Sequence, residues 1–140
     1  MKFRELLAEV PGVLALPNED ADITAPVTET AQHIQPGGVF LARAGRTADG
    51  HDLIGEAVQR GAAAVVGTRA PDEVECPVPY AQVADGMKAL GPLAAAYYGH
   101  PSRRLTVIGV TGTDGKTTTA TLLHSILQSA GIATGLLTTI

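Results

Sequence analysis

The sequence predicts an α/β protein in two parts, a mixed α/β N-terminal domain over residues 1–103 and the first β-α-β of a second sheet over residues 104–140. Three observations carry this. Short strands of Ala, Val and Leu alternate with amphipathic helical patterns, as helix-on-sheet folds require. The composition, 45% hydrophobic but only 4% aromatic, suits an aliphatic core between helices and a sheet. From Leu105 an apolar run empties into a glycine-spaced turn ending in Lys116-Thr117-Thr118 at the head of a further amphipathic pattern, which writes strand, loop and helix in order.

Phe3, Leu6, Leu7 and Val10 share one helical face, and Pro11-Gly12 stops that helix. Between Pro17 and Pro26 the chain is polar or proline-flanked, a loop leading to a strand near Ile23 or Val27. Pro36-Gly37-Gly38 then turns into the strand Val39-Phe40-Leu41-Ala42. A polar loop, Gly45 to Asp52, follows; Asp52 is expected to cap a helix whose face is Leu53, Ile54, Ala57 and Val58 and whose C-terminus Gly61 closes. Ala62 to Val66 reads as a buried strand, and Gly67 to Pro79 as a connection. Tyr80 to Val83 reads as another strand. Asp85 is placed to cap a helix reaching Tyr98, in which Gly91-Pro92 marks either a kink or a fresh first turn, because interior proline costs about 3 kcal/mol. Pro101 to Arg104 is a linker. Beyond it come the strand Leu105–Val110, a helix with the stripe Leu123, Ile126, Leu127 and Ala130 ended by Gly131, and a strand from Ala133 to Ile140.

Several function classes are disfavoured. The net charge of −4, with no basic cluster beyond Arg103-Arg104, argues against a nucleic-acid partner. No apolar run approaches the roughly 20 residues a membrane span needs, and the charged opening Met1-Lys2-Phe3-Arg4-Glu5 is not a signal peptide, so a cytoplasmic protein is expected. The single cysteine, Cys76, excludes an internal disulfide and reads as a bystander. His33, His51, His100 and His124 lack metal-site spacing and are expected in surface or loop roles.

The glycine-spaced turn carries the chemistry. Gly112 and Gly115 let the backbone approach a polyphosphate and turn its N–H groups inward, Lys116 adds a mobile positive charge, and Thr117 offers a hydroxyl to Mg²⁺ at a helix N-terminus. Charge-assisted bonds dominate at roughly 1.5–3 kcal/mol each, against about 0.3–1 kcal/mol for the helix dipole. Lys116 is therefore the expected catalytic residue, and Gly112, Thr113, Asp114, Gly115, Lys116, Thr117 and Thr118 the expected nucleotide triphosphate site. A strict P-loop would have glycine where Val110 stands.

The order of features resembles the ATP-dependent Mur ligases of peptidoglycan synthesis, and within that family the ligase that adds diaminopimelate or lysine. The resemblance rests on Pro36-Gly37-Gly38-Val39-Phe40-Leu41-Ala42 through Asp49-Gly50-His51-Asp52, on Ala57 to Val66, and on Tyr97-Tyr98-Gly99-His100-Pro101-Ser102 into Val107 to Thr119. It implies ATP and Mg²⁺ as cofactors and UDP-N-acetylmuramoyl-L-alanyl-D-glutamate plus an amino acid as partners, joined through an acyl phosphate. By the same resemblance residues 1–103 hold the UDP-muramoyl peptide and 104–140 begin the ATP-binding domain, with Thr117 on the metal.

The family places Asp-Ser-Arg where this chain has Thr30-Ala31-Gln32, so a hydroxyl and a cation are missing there. Backbone groups near Thr30 and Ala31, together with Arg46, Thr47 and Ala48 of the second loop, are expected to bind the substrate. Asp114 stands where the family has Asn; it is either a cap or turn residue facing away, or a carboxylate repelling the nucleotide by roughly 3 kcal/mol at about 5 Å. Alternatives to the diamino-acid-adding ligase are the sister ligase that adds D-Ala-D-Ala and a non-catalytic nucleotide-sensing module. The full-length protein is expected to be monomeric. The 140-residue piece is expected to be inactive and, with its second sheet incomplete, to leave the Leu105–Val110 strand and the Leu123/Ile126/Leu127 stripe mobile or buried by another copy.

Overall fold

The computed structural model describes residues 1–45 and 48–138. They divide into two compact units, Met1–Arg104 and Leu105–Ile140.

In the first unit, α1 (Phe3–Ala8) is followed by β1 (Val13–Ala15), β2 (Val27–Thr28), β3 (Val39–Ala42), α2 (Ile54–Gln59), β4 (Ala64–Gly67), β5 (Tyr80–Val83) and α3 (Gly86–Tyr97). The strands form one mixed sheet in the order β1-β5-β4-β3-β2. Neighbours from β2 to β5 run parallel, and β1 closes the edge antiparallel to β5. Every residue of β3 and β4 is buried, which is why they are written as unbroken apolar runs rather than alternating ones.

Alternation instead sorts their side chains between two faces. Val39, Leu41, Ala64, Val66, Ala81 and Val83 join Phe3, Leu6 and Leu7 of α1 and Ala89 and Leu93 of α3 in one core. Phe40, Ala42, Val65 and Tyr80 join Ile54 and Ala57 of α2 in the other. The result is a helix–sheet–helix sandwich.

Local signals explain most boundaries. The Glu5 carboxylate accepts from the Lys2 N–H at 2.8 Å, steadying the start of α1. Asp85 caps α3 as expected, its Oδ1 accepting from the Lys88 N–H at 3.1 Å. Pro92 lies inside one continuous α3; burial of Ala89, Leu93 and Ala96 on either side offsets the lost hydrogen bond. At the end of α2 the Ala62 N–H bonds back to the Ala57 carbonyl at 3.0 Å, with Gly61 at the turn.

In this unit one expectation changes and one strand is new. Asp52 does not cap α2: a 3₁₀ turn, Gly50–Leu53, precedes the helix, and Asp49 caps that turn by accepting from the His51 N–H. β1 was hidden because it has three residues, one of them the exposed Leu14, between Pro11-Gly12 and Pro17.

In the second unit α4 (Lys116–Ser129) forms, but residues 105–110 and 133–138 are not strands. Strands need a neighbour to satisfy their backbone groups. Here Val107 is 72% and Ile108 56% exposed.

One glycine of the sheet is required for room. A Cβ on Gly67 would overlap the Tyr80 ring, whose hydroxyl donates to the Arg69 carbonyl at 2.9 Å. Gly67→Ala is expected to destabilise the first unit by about 1–3 kcal/mol, read as a lowered urea midpoint with an unchanged m-value.

Candidate functional site

In open sheets with parallel strands, ligands sit beyond the carboxyl ends of those strands. In the first unit this edge carries Glu29 and Thr30 after β2 and the loop from Arg43 to Gly50 after β3. They frame an open cleft of about 160 Å³ whose lining includes Glu29, Thr30, Arg43, Gly45, Ala48 and Gly50. The two flanks of the loop are bonded to each other, with Gly45 N–H donating to the Ala48 carbonyl at 2.8 Å and Gly50 N–H to the Arg43 carbonyl at 2.9 Å.

Of the residues expected to bind a substrate, the cleft brings together Thr30 and Ala48. Ala31 is fully buried and packs into the core against α2 rather than lining the cleft. Arg46 and Thr47 lie outside the described residues. Arg43, which the sequence reading passed over, stands in the cleft and pairs with Glu29 through Nε and a terminal nitrogen, each 2.8 Å from Oε2.

His51 holds the loop in place. Expected at the surface or in a loop, it lies on a 3₁₀ turn but is only 7% exposed. Its Nδ1 is 2.6 Å from Asp49 Oδ1, and its Nε2 accepts from the Thr68 and Arg69 N–H groups at 3.1 and 3.3 Å. Two incoming N–H donors assign the lone pair to Nε2 and the proton to Nδ1. Asp49 Oδ2 accepts in turn from Arg69 at 2.6 Å, and Gln82 donates to the Thr68 carbonyl at 3.3 Å. Asp49 and His51, at the end of the loop, are thereby tied to the ends of β4 and β5.

The His51 backbone N–H and then its ring, with Arg69 beside them, pull the Asp49 carboxyl from 3.8 down to about 2 against the opposing effect of burial. A depressed folded-state pKa contributes stability above the unfolded value that is lost as pH falls through the folded one. The first unit is therefore expected to lose stability between about pH 4 and pH 2. Asp49→Asn should flatten that part of the profile in acid unfolding followed by circular dichroism.

In the second unit the expected nucleotide residues occupy one loop and the first turn of α4. Gly115 takes φ +74° at the N-cap, and among the described residues no side chain caps the helix, so Asp114 is not its cap. First-turn N–H groups of a helix are able to receive an anionic acceptor. Lys116 Nζ donates to the carbonyls of Gly112 and Thr113 at 2.6 and 3.0 Å, and Thr117 Oγ1 is 3.2 Å from Thr138 Oγ1. An exposed ammonium resting on loop carbonyls can transfer to phosphate oxygens by side-chain rotation alone.

The side chains of three other flagged residues have partners. His100 faces Glu9 at 3.5 Å, and His124 meets the Thr134 hydroxyl at 3.0 Å. The Cys76 thiol donates to the Val78 carbonyl at 3.3 Å, and burial pushes its pKa up, opposite to an activated nucleophile. Among the described residues no group of three or more metal-ligating side chains occurs, and no helix is long and apolar enough to cross a membrane.

Comparison with known proteins identifies relatives of this chain. Residues 12–98 match the model described as "Mur ligase family, catalytic domain". The chain is 45% identical over 142 residues to a UDP-N-acetylmuramyl-tripeptide synthetase of Deinococcus radiodurans, covering 100% of this chain and 29% of that protein. It is 40% identical over 140 residues to a UDP-N-acetylmuramoyl-L-alanyl-D-glutamate--2,6-diaminopimelate ligase of Bacteroides fragilis, again over 100% and 29%. Among solved structures, MurF from Acinetobacter baumannii superposes with a TM-score of 0.69 at 27% identity, over 90% of this chain and 27% of that one. MurF ligase from Thermotoga maritima, solved in complex with ADP, gives 0.61 at 33% identity, over 76% and 24%. The chain thus spans under a third of the length of these relatives. With a family match over residues 12–98 and a 45% identical relative matched along the whole chain, the chain belongs to the Mur ligase family.

Proposed function

We propose that this chain is the N-terminal part of a cytoplasmic, ATP-dependent ligase that joins diaminopimelate or lysine to UDP-N-acetylmuramoyl-L-alanyl-D-glutamate. The observation that supports it most is the cleft at the carboxyl edge of the sheet, where Thr30 and Ala48, from separate stretches of sequence, line one concavity. On this reading residues 1–103 hold the UDP-muramoyl peptide and residues 104–140 begin the ATP-binding domain.

The chemistry follows from the substrates. The peptide's terminal carboxylate takes the γ-phosphoryl group of ATP, releasing ADP. The amine of the incoming amino acid attacks the acyl phosphate, forming the amide and releasing phosphate. The uncapped first turn of α4 and Lys116 fit a polyphosphate; Thr117 would ligate Mg²⁺, which when bound neutralises charge on the phosphate oxygens. Lys116 stabilises charge on the transferring group, while the first unit holds and orients the acceptor carboxylate.

A second reading has its own support, because a neighbouring structure is described as UDP-N-acetylmuramoylalanyl-D-glutamyl-2,6-diaminopimelate--D-alanyl-D-alanyl ligase, with a TM-score of 0.67 and 27% identity. ADP release by the full-length protein, given Mg-ATP and each muramoyl nucleotide with candidate amino acids, separates the two. Turnover on the dipeptide nucleotide with diaminopimelate or lysine is expected. Turnover only on the tripeptide nucleotide with D-Ala-D-Ala would move the assignment to the sister ligase, and binding without turnover would make this a sensing module.

A further inference from the structure

We propose that Arg43 grips the diphosphate of the nucleotide substrate at the end of β3, and that Glu29 is the counter-ion holding its guanidinium in the cleft until the ligand arrives. This rests on the proposed function, which supplies the nucleoside diphosphate; the residue assignment comes from the geometry.

Arg43 is the first residue beyond a fully buried strand, and its surroundings leave it little freedom. Its carbonyl accepts from the Gly50 N–H at 2.9 Å. A Cβ at Gly50 would lie 2.9 Å from both the N and the O of Arg43, and one at Gly86 would lie 3.0 Å from its Cβ. Gly50 thus lies against the Arg43 backbone, and Gly86, at the start of α3, against the Cβ and Cδ of its side chain. The base of the side chain is held from one side by α3 while the guanidinium meets Glu29.

The guanidinium has donors to spare. Glu29 engages it through one oxygen, Oε2, whereas the group carries five N–H donors in a planar fork. Among the described residues no further hydrogen bond from this side chain is formed. Arg43 is 26% and Glu29 38% exposed at the side chain, so the pair is open to exchange with solvent and ligand. A diphosphate brings more charge than a carboxylate and matches the fork with two oxygens at once. Displacement of Glu29 by the ligand is thus favoured by charge and geometry together.

The test uses the ¹⁵N-labelled 140-residue chain titrated separately with UDP-N-acetylmuramoyl-L-alanyl-D-glutamate and with inorganic pyrophosphate. Amide signals of Gly45, Ala48 and Gly50 report the cleft, while those of Gly112, Gly115 and Lys116 report the loop before α4. At the cleft signals Arg43→Gln is expected to weaken the muramoyl nucleotide by about 10–100-fold. Arg43→Lys should lose part of that, and Glu29→Gln should tighten binding several-fold, with the dispersed spectrum retained in all three. Equal affinity for wild type and Arg43→Gln would overturn the assignment of Arg43 and leave the proposed function standing. Equal weakening by Arg43→Gln and Glu29→Gln would overturn it too, since the pair would then be structural. Arg43-dependent shifts at the cleft with pyrophosphate, but none with the muramoyl nucleotide, would keep Arg43 and sink the proposed function; no cleft shifts with either probe would sink both.

Discussion

Lys116→Ala in the full-length protein is expected to lower amide formation by about 10²–10³-fold, the usual cost of removing one preorganised charge from a developing anion. The affinity for the UDP-muramoyl peptide should stay unchanged. The expectation comes from where the ammonium sits. It rests on the carbonyls of Gly112 and Thr113, both in the loop that leads into α4, so it is already confined within reach of anything the loop encloses. Those bonds are to neutral carbonyls, whereas charge-assisted bonds to phosphate oxygens are worth roughly twice as much. Lys116→Arg should not restore full activity, because a broad planar fork does not replace a compact point charge. Steady-state rates of ADP release, with ligand affinity measured separately, check both variants.

The second large effect is expected at His51. Truncation to alanine removes the acceptor for the Thr68 and Arg69 N–H groups and the partner of Asp49. Leaving such groups buried and unpaired costs about 1–3 kcal/mol apiece, so a loss on the order of 3 kcal/mol is expected. For a domain of this size that corresponds to a drop in Tm on the order of 15 °C. The loop from Arg43 to Gly50 should loosen with it, and binding of the UDP-muramoyl peptide should weaken beyond what the fraction unfolded explains. Differential scanning calorimetry and a binding isotherm well below the transition separate the two consequences.

The sheet of the first unit was legible where burial left a mark in sequence. Val39-Phe40-Leu41-Ala42 and Ala64-Val65-Val66-Gly67 face helices on both sides, and a strand buried on both faces can hold little that is polar. Asp85, one residue before a helix it caps, is a local signal and was read correctly. β1 left too little to read, because three residues at a sheet edge, with Leu14 turned outward, show neither alternation nor a run.

Residues 105–110 failed in the opposite sense. Their strand pattern is strong, yet a ladder is a property of two chains of backbone groups, and the pattern of one segment does not supply its neighbour.

The candidate site divides along the same line. Gly112, Gly115, Lys116 and Thr117 lie within six consecutive residues, so sequence alone assembles them. His51 draws its partners from 2, 17 and 18 positions away, and Arg43 finds Glu29 at a separation of 14. No periodicity encodes such distances; they follow from the parallel crossover that brings the ends of β2, β3 and β4 to one edge.

The central claim is that the two units of this chain serve different ligands, a UDP-muramoyl peptide and ATP. Hydrogen exchange of the full-length protein, read by mass spectrometry with each ligand added alone, tests it most directly. UDP-N-acetylmuramoyl-L-alanyl-D-glutamate should slow exchange in peptides covering residues 28–31 and 43–52 and leave residues 111–119 unchanged, while Mg-ATP should do the reverse. Protection of residues 111–119 by the muramoyl nucleotide alone, or of residues 43–52 by Mg-ATP alone, would contradict the account.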